Sequence, residues 1–448
     1  MIGQHSHSEI IIINHFYARK LDNYRSLRIY LPPSYNAQLD RRFPVLYTHD
    51  GQNMFNSEFS YSGVSWKIQN VADELIRQFR IEEIIIVAVD NMENERLNEY
   101  AHEDGSFNGQ NLKGTGRLYE DFLINDVKPY IDANFKTLTD SSNTALMGSS
   151  MGGLVTFNIG IRNPNVFGKL GVISPSFWWG DGITLKKLKK NNINTQNEKL
   201  WIDMGDSEGY FMTGCNEVVN ELLNKGYTIP ENLVYYSVPG ANHSESAWAQ
   251  RVHCPLIYFF GQIGCPQELY LYGRDIVGIK GPKTHLNPVM YYNSGFQMTL
   301  LDAEFVLKDP DLLSVNEDGD IIPYKTGSTH IEVSKNGIKA IKKYVIIDEL
   351  KKEVTITIHV TVPTETPDEI LFLAIHEPQD FKLVKKGIST YMTQITLPRD
   401  EAISFKFTRG SWMTVEKDRF GGEIDSRLLK AEDDISVYYE VKKWADLK

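Results

Sequence analysis

The stretch Asn143–Gly153, NTALMGSSMGG, decides the fold, because a short apolar run breaks there into a serine flanked by glycines. The run ends at Gly148, and a segment with helical spacing begins at Leu154. In such a strand-turn-helix unit the G-x-S-x-G spacing lifts one serine hydroxyl clear of the backbone, since the glycines let strand and helix pass close together. Ser150 has that position and Ser149 does not. Ser150 is therefore the candidate nucleophile. The alternative is a purely structural turn in which the glycines provide flexibility and the serine has no catalytic role, and the flanking strand and helix disfavour it.

Length and composition indicate a soluble globular protein with more than one domain. The 448 residues exceed what one hydrophobic core usually serves, which predicts two or three domains. Hydrophobic residues make up 42% of the chain and charged residues 23%, an ordinary soluble composition. A net charge of -11 and a pI near 5.6 argue against nucleic acid or an anionic membrane as the main partner.

The cysteines, the apolar stretches and the N-terminus bear on whether the protein is disulfide-rich, metal-binding, membrane-associated or secreted. Cys215, Cys254 and Cys265 form no C-x-x-C pair, so we expect neither a disulfide framework nor a metal site. No apolar stretch approaches the ~20 residues of a membrane span, so we expect no membrane association. The N-terminus, MIGQHSHSEIIIINHF, lacks the basic region of a secretory signal. As written this favours the cytoplasm, and a periplasmic or secreted location stays open if a leader was trimmed.

Apolar strands and helical segments alternate around the serine motif. Short apolar runs predict strands in FPVLYTHDG (43–51), IEEIIIVAVDN (81–91), KLWIDMGDSEG (199–209) and LVYYSVPGANH (233–243). Helical spacing occurs in residues 70–79 and 118–135, and Pro129 is expected to bend the second helix. This alternation predicts an α/β fold with a mostly parallel sheet covered on both sides. Polar residues just past the strand C-termini should then face the ligand crevice.

A serine hydroxyl needs an adjacent base, itself oriented by a carboxylate, to act as a nucleophile. His243 lies just past a late strand and completes the chain order Ser, acid, His. His253 is the competing histidine, but it falls inside a helix-like segment and is expected to pack.

The acid is expected on the loop that follows WIDMG. Asp206 and Glu208 both qualify by their chemistry, whereas Asp203 lies inside the strand. Either loop carboxylate could instead be a solvated turn residue. The residues alone therefore leave the acid open.

The oxyanion of a tetrahedral intermediate needs two backbone N–H donors. One is expected from Met151, directly after the serine, and the other from the loop after the FPVLYTHDG strand, where Gln52 is the candidate. His49 and Asp50 border that loop, and we expect them to form a hydrogen-bonded pair that shapes the turn.

Several stretches between about residue 16 and residue 250 carry a family resemblance. They are RIYLPPSY, FPVLYTHDGQNMF, VDNMENERLNEY, YEDFLINDVKPYIDANFKT, MGSSMGGL, SPSFWW and GANHSESAW. Together they resemble the esterase D or enterochelin-esterase-like branch of the α/β-hydrolases, which also contains feruloyl esterases, acetyl-xylan esterases and mycolyltransferases. The resemblance implies an α/β-hydrolase sheet flanked by helices, with Ser150 as nucleophile and His243 as base. It favours Glu208 over Asp206, because relatives place the acid at the fourth position of a G-x-x-D/E loop, and it maps the second oxyanion donor to Gln52.

Other polar and aromatic residues are weaker candidates. Arg96, Glu99 and Tyr100 follow a strand end and could contact substrate, although a structural ion pair is the better supported role. Four tryptophans are candidate walls of an acyl pocket, with core packing as an equal alternative: Trp66, Trp178, Trp179 and Trp248.

The remaining third of the chain is predicted to be all-β. Two alternating runs flank Asn336-Gly337, a strong hairpin signal. The stretch SVNEDGDIIPYKTGSTHIEV resembles bacterial immunoglobulin-like repeats, and FKFTRGSWMTVEKDRFGGEIDSR resembles the end of starch-binding and glycogen-binding sandwich modules. In the latter, Trp412 could stack on sugars, but LFLAIHEPQDFKL replaces that family's tryptophan-bearing loop. We therefore predict an esterase domain at 1–266, an Ig-like domain at 267–347 and a starch-binding-like sandwich at 348–448.

The leading hypothesis is a serine carboxylic ester hydrolase that uses a triad and an acyl-enzyme intermediate, without metal or cofactor. Its partner would be a small-molecule or glycan-linked ester, and the β-modules favour the second by association. One alternative is acyl transfer to a sugar or another alcohol, which the same triad could serve. Another is a glycan-binding protein with a relic hydrolase domain, against which the Ser, acid, His order argues. The oligomeric state is not indicated.

Overall fold

The computed structural model describes residues 7–61, 63–107, 109–190, 199–316, 318–375 and 381–447. Parts of three segments discussed above lie outside these ranges. They are the start of the N-terminus, Glu317 in SVNEDGDIIPYKTGSTHIEV, and residues 376–380 of LFLAIHEPQDFKL.

The N-terminal part of the chain builds a large sheet. Its strands are β1 (Glu9–Ala18), β2 (Asn23–Leu31), β3 (Val45–Thr48), β4 (Ile85–Val89), β5 (Gly105–Phe107), β6 (Gln110–Leu112), β7 (Thr144–Ser149), β8 (Lys169–Ile173), β9 (Lys199–Gly205) and β10 (Leu233–Val238). Eight of them form one sheet in the order β1-β2-β4-β3-β7-β8-β9-β10, and β5 and β6 form a separate hairpin. Strand β2 is antiparallel to β1 and β4, and all pairs from β4 to β10 are parallel. The predicted mostly parallel sheet is confirmed.

Helices cover both faces of this sheet. They are α1 (Ile68–Arg77), α2 (Arg96–Tyr100), α3 (Gly116–Phe122), α4 (Lys128–Asn134), α5 (Met151–Arg162), α6 (Trp179–Lys190), α7 (Cys215–Asn224), α8 (Glu245–Arg251) and α9 (His253–Phe260). Apolar residues of α1, α8 and α9 form the core on one face. Those of α3 to α7 form the core on the other. The central strands are therefore apolar on both sides.

The segment predicted as one bent helix over 118–135 is more irregular than expected. A π-helical turn, Leu123–Val127, joins α3 to α4, and Pro129 lies in the first turn of α4. Proline is tolerated at that position, because the first N–H groups of a helix have no intrahelical acceptor. The irregularity therefore precedes the proline.

In the described residues after α9, the regular elements are β-strands, as predicted, apart from one short 3-10 helix, Trp412–Thr414. The next strands are β11 (Pro266–Tyr272), β12 (Ile276–Lys280), β13 (Thr284–His285), β14 (Asn287–Tyr292), β15 (Gln297–Thr299), β16 (Glu304–Leu307), β17 (Leu313–Val315), β18 (Asp320–Pro323), β19 (Gly327–Lys335) and β20 (Ile338–Glu349). They form the sheets β11-β14-β15, β12-β20-β19-β16 and β13-β18-β17. The predicted hairpin is confirmed: Lys335 pairs with Ile338 across Asn336 and Gly337, whose φ values are 52° and 81°.

The last strands have a hydrophobic core of their own. They are β21 (Glu353–Thr361), β22 (Ile370–Ile375), β23 (Phe381–Lys385), β24 (Thr390–Pro398), β25 (Ala402–Thr408), β26 (Glu416–Lys417), β27 (Arg427–Lys430), β28 (Ile435–Glu440) and β29 (Lys443–Trp444). Seven form the sheet β27-β25-β22-β23-β24-β21-β28. Alternate residues from Val354 to Val362 are buried in that core. Strands β11 to β20 instead share a core with α1, α8 and α9. The domain boundaries and the module families stay predictions.

Within the described ranges, no helix combines the length and the apolar character that crossing a bilayer requires.

Close packing of α5 on the sheet gives a first test of the fold. A Cβ added to Gly160 would lie 2.1 Å from Cδ2 of Leu170, whose side chain is fully buried. Gly160→Val should destabilise the protein by about 1–3 kcal/mol, since an overfilled core forces its neighbours to shift. Denaturant unfolding measures this, with exposed Asn220→Ala in α7 as the control. Equal stability of the two variants would contradict the packing.

Candidate active site

Ser150 forms the sharp turn between β7, which ends at Ser149, and α5, which begins at Met151. Its φ of 58° and ψ of -123° are strained for a residue with a side chain. A Cβ on Gly148 would lie 2.8 Å from the carbonyl oxygen of Gly152. The absence of a side chain at Gly148 therefore allows strand and helix to pass closely on either side of Ser150.

His243 and Glu208 meet Ser150 at the C-terminal edge of the sheet. Oγ of Ser150 lies 2.9 Å from Nε2 of His243, and Nδ1 of His243 lies 2.7 Å from Oε2 of Glu208. Glu208 follows β9, and His243 lies between β10 and α8. Three side chains that are far apart in sequence thus form one continuous chain of hydrogen bonds.

The second oxygen of Glu208 is fixed by donors from the protein interior. Oε1 accepts hydrogen bonds from the Gly205 backbone N–H at 2.7 Å and the Ser174 hydroxyl at 2.6 Å. Burial raises the pKa of Glu208, but the His243 imidazole and the Arg251 guanidinium outweigh burial and hold the pKa below its ordinary value. The carboxyl is therefore ionised and oriented toward His243 at neutral pH.

The other candidate acids have different partners. Asp206 accepts hydrogen bonds from the Gly240 N–H at 2.7 Å and the Ser207 hydroxyl at 2.9 Å, and so braces its own loop. Asp203 is buried within β9 and accepts from Arg251 at 2.9 Å.

The competing histidine, His253, begins α9, and its Nε2 donates to the Gly295 carbonyl at 3.1 Å. This bond joins the start of α9 to the loop before β15, so His253 has a packing role there.

The two candidate oxyanion donors lie on adjacent parts of the sheet edge. Met151 is the first residue of α5, where backbone N–H groups have no helical acceptor. Gln52 lies in the short 3-10 turn Gly51–Asn53, after β3, the strand that pairs with β7. The Gln52 side chain is engaged elsewhere, since its Oε1 accepts from the Asn91 N–H at 3.1 Å. The backbone of Gln52 would have to supply the donor.

The residues before this turn do not form the expected pair. Asp50 accepts a bidentate bond from Arg96, at 2.7 and 2.8 Å, while Nδ1 of His49 lies 2.9 Å from the Tyr119 hydroxyl. The predicted His49–Asp50 bond is therefore wrong, because each side chain has a partner on α2 or α3. Arg96 is in a structural ion pair, as expected, and so is Glu99, which binds the buried Arg25 at 2.8 Å.

The four tryptophans take different positions around the site. Trp248 is buried, presents its edge to His243 at 4.9 Å between ring centroids, and donates to Ser174 at 2.9 Å. Trp66 is buried and donates to Glu245, and Trp179 is buried and donates to the Glu103 carbonyl at 2.9 Å. Trp178 alone of the four is partly exposed.

An aromatic group that the sequence patterns did not predict lies beside His243. Phe211 stacks on His243, with ring centroids 4.3 Å apart and an interplanar angle of 16°. Trp178 lies against Phe211 at 6.0 Å and Tyr210 at 5.4 Å. The Trp178 Nε1 atom is buried without a hydrogen-bond partner among the described residues. The position of Phe211 just past β9 was the available signal, because such residues border the crevice.

Polar neighbours of the site were also missed. The hydroxyl of Ser176 lies 3.4 Å from that of Ser150, and Ser174 links Glu208 to Trp248 and Arg251. Both serines occur in SPSFWW, directly after β8, so the same rule about strand ends applies to them. Within the described residues, no group of three or more His, Cys, Asp or Glu could hold a metal ion.

Comparison with known proteins identifies the family. The model of the family described as "Putative esterase" matches residues 18–253, a little over half of the chain. The chain belongs to this esterase family. It is therefore a carboxylic ester hydrolase, and the predicted resemblance of the N-terminal part is confirmed.

Individual relatives are distant. The uncharacterized protein YbbA of Bacillus subtilis (strain 168) is 23% identical over 249 residues, which cover 53% of this chain and 93% of YbbA. An endo-1,4-beta-xylanase/feruloyl esterase of Xylanibacter ruminicola is 29% identical over 240 residues, but the match covers 52% of this chain and only 29% of that protein. Among solved structures, the enterobactin esterase of Shigella flexneri matches with 19% identity and a TM-score of 0.46, over 56% of this chain and 59% of that one.

The buried His49 predicts a pH dependence of stability. Burial lowers the pKa of His49 to about 3, below its value in an unfolded chain. The neutral ring therefore makes its full contribution to the free energy of unfolding above the pKa of histidine in the unfolded chain. That contribution is lost as the pH falls toward the pKa of His49 in the folded protein. The wild-type protein should lose about 1.4 kcal/mol per pH unit from this group between about pH 6 and pH 4.

Urea unfolding of wild type and His49→Gln at pH 7, 6, 5 and 4 measures this slope. The variant should start less stable, because it loses the packed ring, but its stability should fall less steeply with acid. Parallel slopes would show that His49 is not buried as a neutral ring.

Proposed function

We propose that Ser150, His243 and Glu208 act as a Ser-His-acid triad that hydrolyses carbohydrate-linked carboxylic esters through an acyl-enzyme intermediate. The observation that carries this proposal is the unbroken hydrogen-bond chain, with separations of 2.9 and 2.7 Å, that ends at a buried carboxylate. Membership of the esterase family also supports this proposal.

In the first half-reaction the Ser150 oxygen attacks the ester carbonyl carbon as Nε2 of His243 takes its proton. The tetrahedral oxyanion is held by the Met151 and Gln52 backbone N–H groups. The imidazolium then gives its proton to the leaving alcohol oxygen, the C–O bond breaks, and the acyl group stays on Ser150. Glu208 stabilises the imidazolium and fixes the ring so that Nδ1 carries its proton.

In the second half-reaction water takes the place of the alcohol. His243 removes a proton from water, the hydroxide adds to the acyl carbon, and the second tetrahedral intermediate collapses. The carboxylic acid leaves, and the proton returns from His243 to Ser150. No redox change or further reactant is involved.

One observation supports a carbohydrate-linked substrate, and a second bears on the acyl group. The relative from Xylanibacter ruminicola is named for both xylanase and feruloyl esterase activity. In addition, Phe211, stacked on the base His243, and the adjacent, partly exposed Trp178 offer flat apolar surface beside the imidazole. Such surface suits an aromatic acyl group.

The triad assignment is tested by matched substitutions of the two loop carboxylates. Glu208→Gln should lower kcat by about 10²–10⁴, because the neutral amide no longer stabilises the imidazolium. Asp206→Asn, two residues away, should stay within about threefold of wild type, since an amide oxygen can still accept from Gly240. Steady-state hydrolysis of an aryl acetate measures both, with Ser150→Ala as the inactive reference. The opposite order of effects would refute Glu208 as the acid.

The substrate assignment is tested with a panel of esters. The enzyme should show a kcat/KM at least about tenfold higher on feruloylated or acetylated oligosaccharides than on the methyl or ethyl esters of the same acids. Chromatography of the released free acid measures kcat/KM for the oligosaccharide esters and for the alkyl esters. Equal values across the panel would rule out a carbohydrate preference while leaving the triad assignment intact.

A further inference from the structure

The partly buried Glu245 is a titratable side chain near the candidate active site to which the triad mechanism gives no role. It begins α8, two residues after His243, and so adjoins residues 239–244, here called the base loop. Its two carboxyl oxygens have different partners. Oε1 accepts a hydrogen bond from Nδ2 of Asn53 at 3.0 Å, and Oε2 accepts one from the Trp66 indole. One side chain thus joins the base loop to segments that lie 192 and 179 residues away in the chain.

The bond to Asn53 holds one end of the short turn Gly51–Asn53, here called the oxyanion turn. Asn53 is the last residue of this turn and is buried. At the other end, Asp50 precedes the turn with a φ of 53° and is held by Arg96 at 2.7 and 2.8 Å. Gln52, whose backbone N–H is the proposed oxyanion donor, therefore lies between two anchored residues. The carboxyl at the start of α8 supplies one of these anchors.

The bond to the Trp66 indole extends this link to the base. The Trp66 and Trp248 rings are both buried and pack against each other with centroids 6.1 Å apart. Trp248 in turn presents its edge to His243 at 4.9 Å between centroids. A displacement of Trp66 would therefore reach the imidazole through a single intervening ring. Glu245 thus contacts the surroundings of both the oxyanion donor and the base.

The electrostatic surroundings favour a neutral carboxyl at this position. Burial raises the pKa of Glu245 to about 8, and the negative charges of Asp50 and Asp425 add to that rise. The Trp66 hydrogen bond and the positive charge of Arg96 oppose the rise without cancelling it. Glu245 therefore carries its proton in most molecules at pH 7. A neutral amide of the same shape, as in glutamine, is a close substitute for it at that pH.

We propose that Glu245 is a positioning residue that holds the oxyanion turn against the base loop, so that the Gln52 N–H and the His243 imidazole face the same reacting carbon. The inference rests on the proposed triad and its oxyanion donors. Glu245 takes no part in the proton transfers and acts through Asn53 and Trp66. Its bonds should matter most in the transition state, because the oxyanion forms only after attack on the carbonyl and one oxyanion donor is worth about 10²–10³ in kcat.

The first test replaces the carboxyl by an apolar group of similar size. Glu245→Leu should lower kcat for hydrolysis of an aryl acetate about 10- to 100-fold and leave KM within about threefold, because ground-state binding does not use the oxyanion donors. Glu245→Gln should recover kcat to within about fivefold of wild type, since its amide oxygen still accepts from Asn53. Glu217→Leu, the same change at an exposed acidic residue in the first turn of α7, is the matched control and should change neither constant.

A transition-state analogue separates this role from a loss of folded protein. An aryl boronic acid forms a tetrahedral adduct with a serine nucleophile and places an oxygen against the oxyanion donors. Its Ki should rise for Glu245→Leu by about the factor by which kcat/KM falls. A variant that is only partly folded would have fewer active sites, so its apparent kcat would fall while Ki stayed at the wild-type value. An unchanged Ki would therefore overturn the proposal.

A double-mutant cycle tests whether Glu245 acts through Asn53. Asn53→Ala removes the hydrogen-bond donor and should lower kcat at least as much as Glu245→Leu does. The combined variant should stay within about threefold of the weaker single variant, because both substitutions break the same bond. Losses that multiply in full would show that the two side chains act independently, which contradicts the proposed link.

Labelling of Ser150 by a fluorophosphonate probe separates this inference from the triad proposal. A wild-type protein that is not labelled, or a Ser150→Ala variant that keeps its turnover, would refute the triad and the positioning role together. A labelled wild type and an inactive Ser150→Ala, combined with wild-type kcat in Glu245→Leu, would refute the positioning role alone.

Discussion

The structure around the candidate site depends on the strained backbone of Ser150. Its positive φ accompanies a close approach of β7 and α5, in which a Cβ on Gly148 would lie 2.8 Å from the carbonyl oxygen of Gly152. The cost of such a conformation is of the order of 1–3 kcal/mol, which the buried packing of α5 on the sheet has to offset. In return, the hydroxyl stands at the sheet edge, within reach of loops from β9 and β10.

From that hydroxyl a chain of polar contacts runs into the interior. Glu208 connects His243 to Ser174, and Ser174 accepts bonds from Trp248 and Arg251. Arg251 in turn binds Asp203 within β9. A buried charge is tolerated when it is paired and hydrogen-bonded, and here an arginine lies between two carboxylates. The orientation of the imidazole is therefore set by the packing of α8 on the strands as well as by the Glu208 loop.

The β-rich third of the chain is joined to the hydrolase part in two different ways. Strands β11 to β20 extend the hydrophobic core beneath α8 and α9, so this part is continuous with the sheet. Strands β21 to β29 have a separate core, and their part of the chain approaches the hydrolase loops at two points, Ala402 beside Gly209 and Glu423 beside Gly63.

Local patterns in the sequence were enough to predict the alternation of strands and helices, the serine turn, the Asn336-Gly337 hairpin and the all-β character of the last third, because each depends on neighbours in the chain. The family resemblance favoured Glu208 over Asp206, a choice that the residues alone left open. Tertiary structure alone decided that Asp206 braces its own loop, that His49 and Asp50 have separate partners, that Phe211 stacks on His243, and that β25 starts beside Gly209 in the acid loop, which carries Glu208. These contacts join segments from tens to hundreds of residues apart, and their geometry is set by how strands, helices and modules pack, which no local pattern encodes.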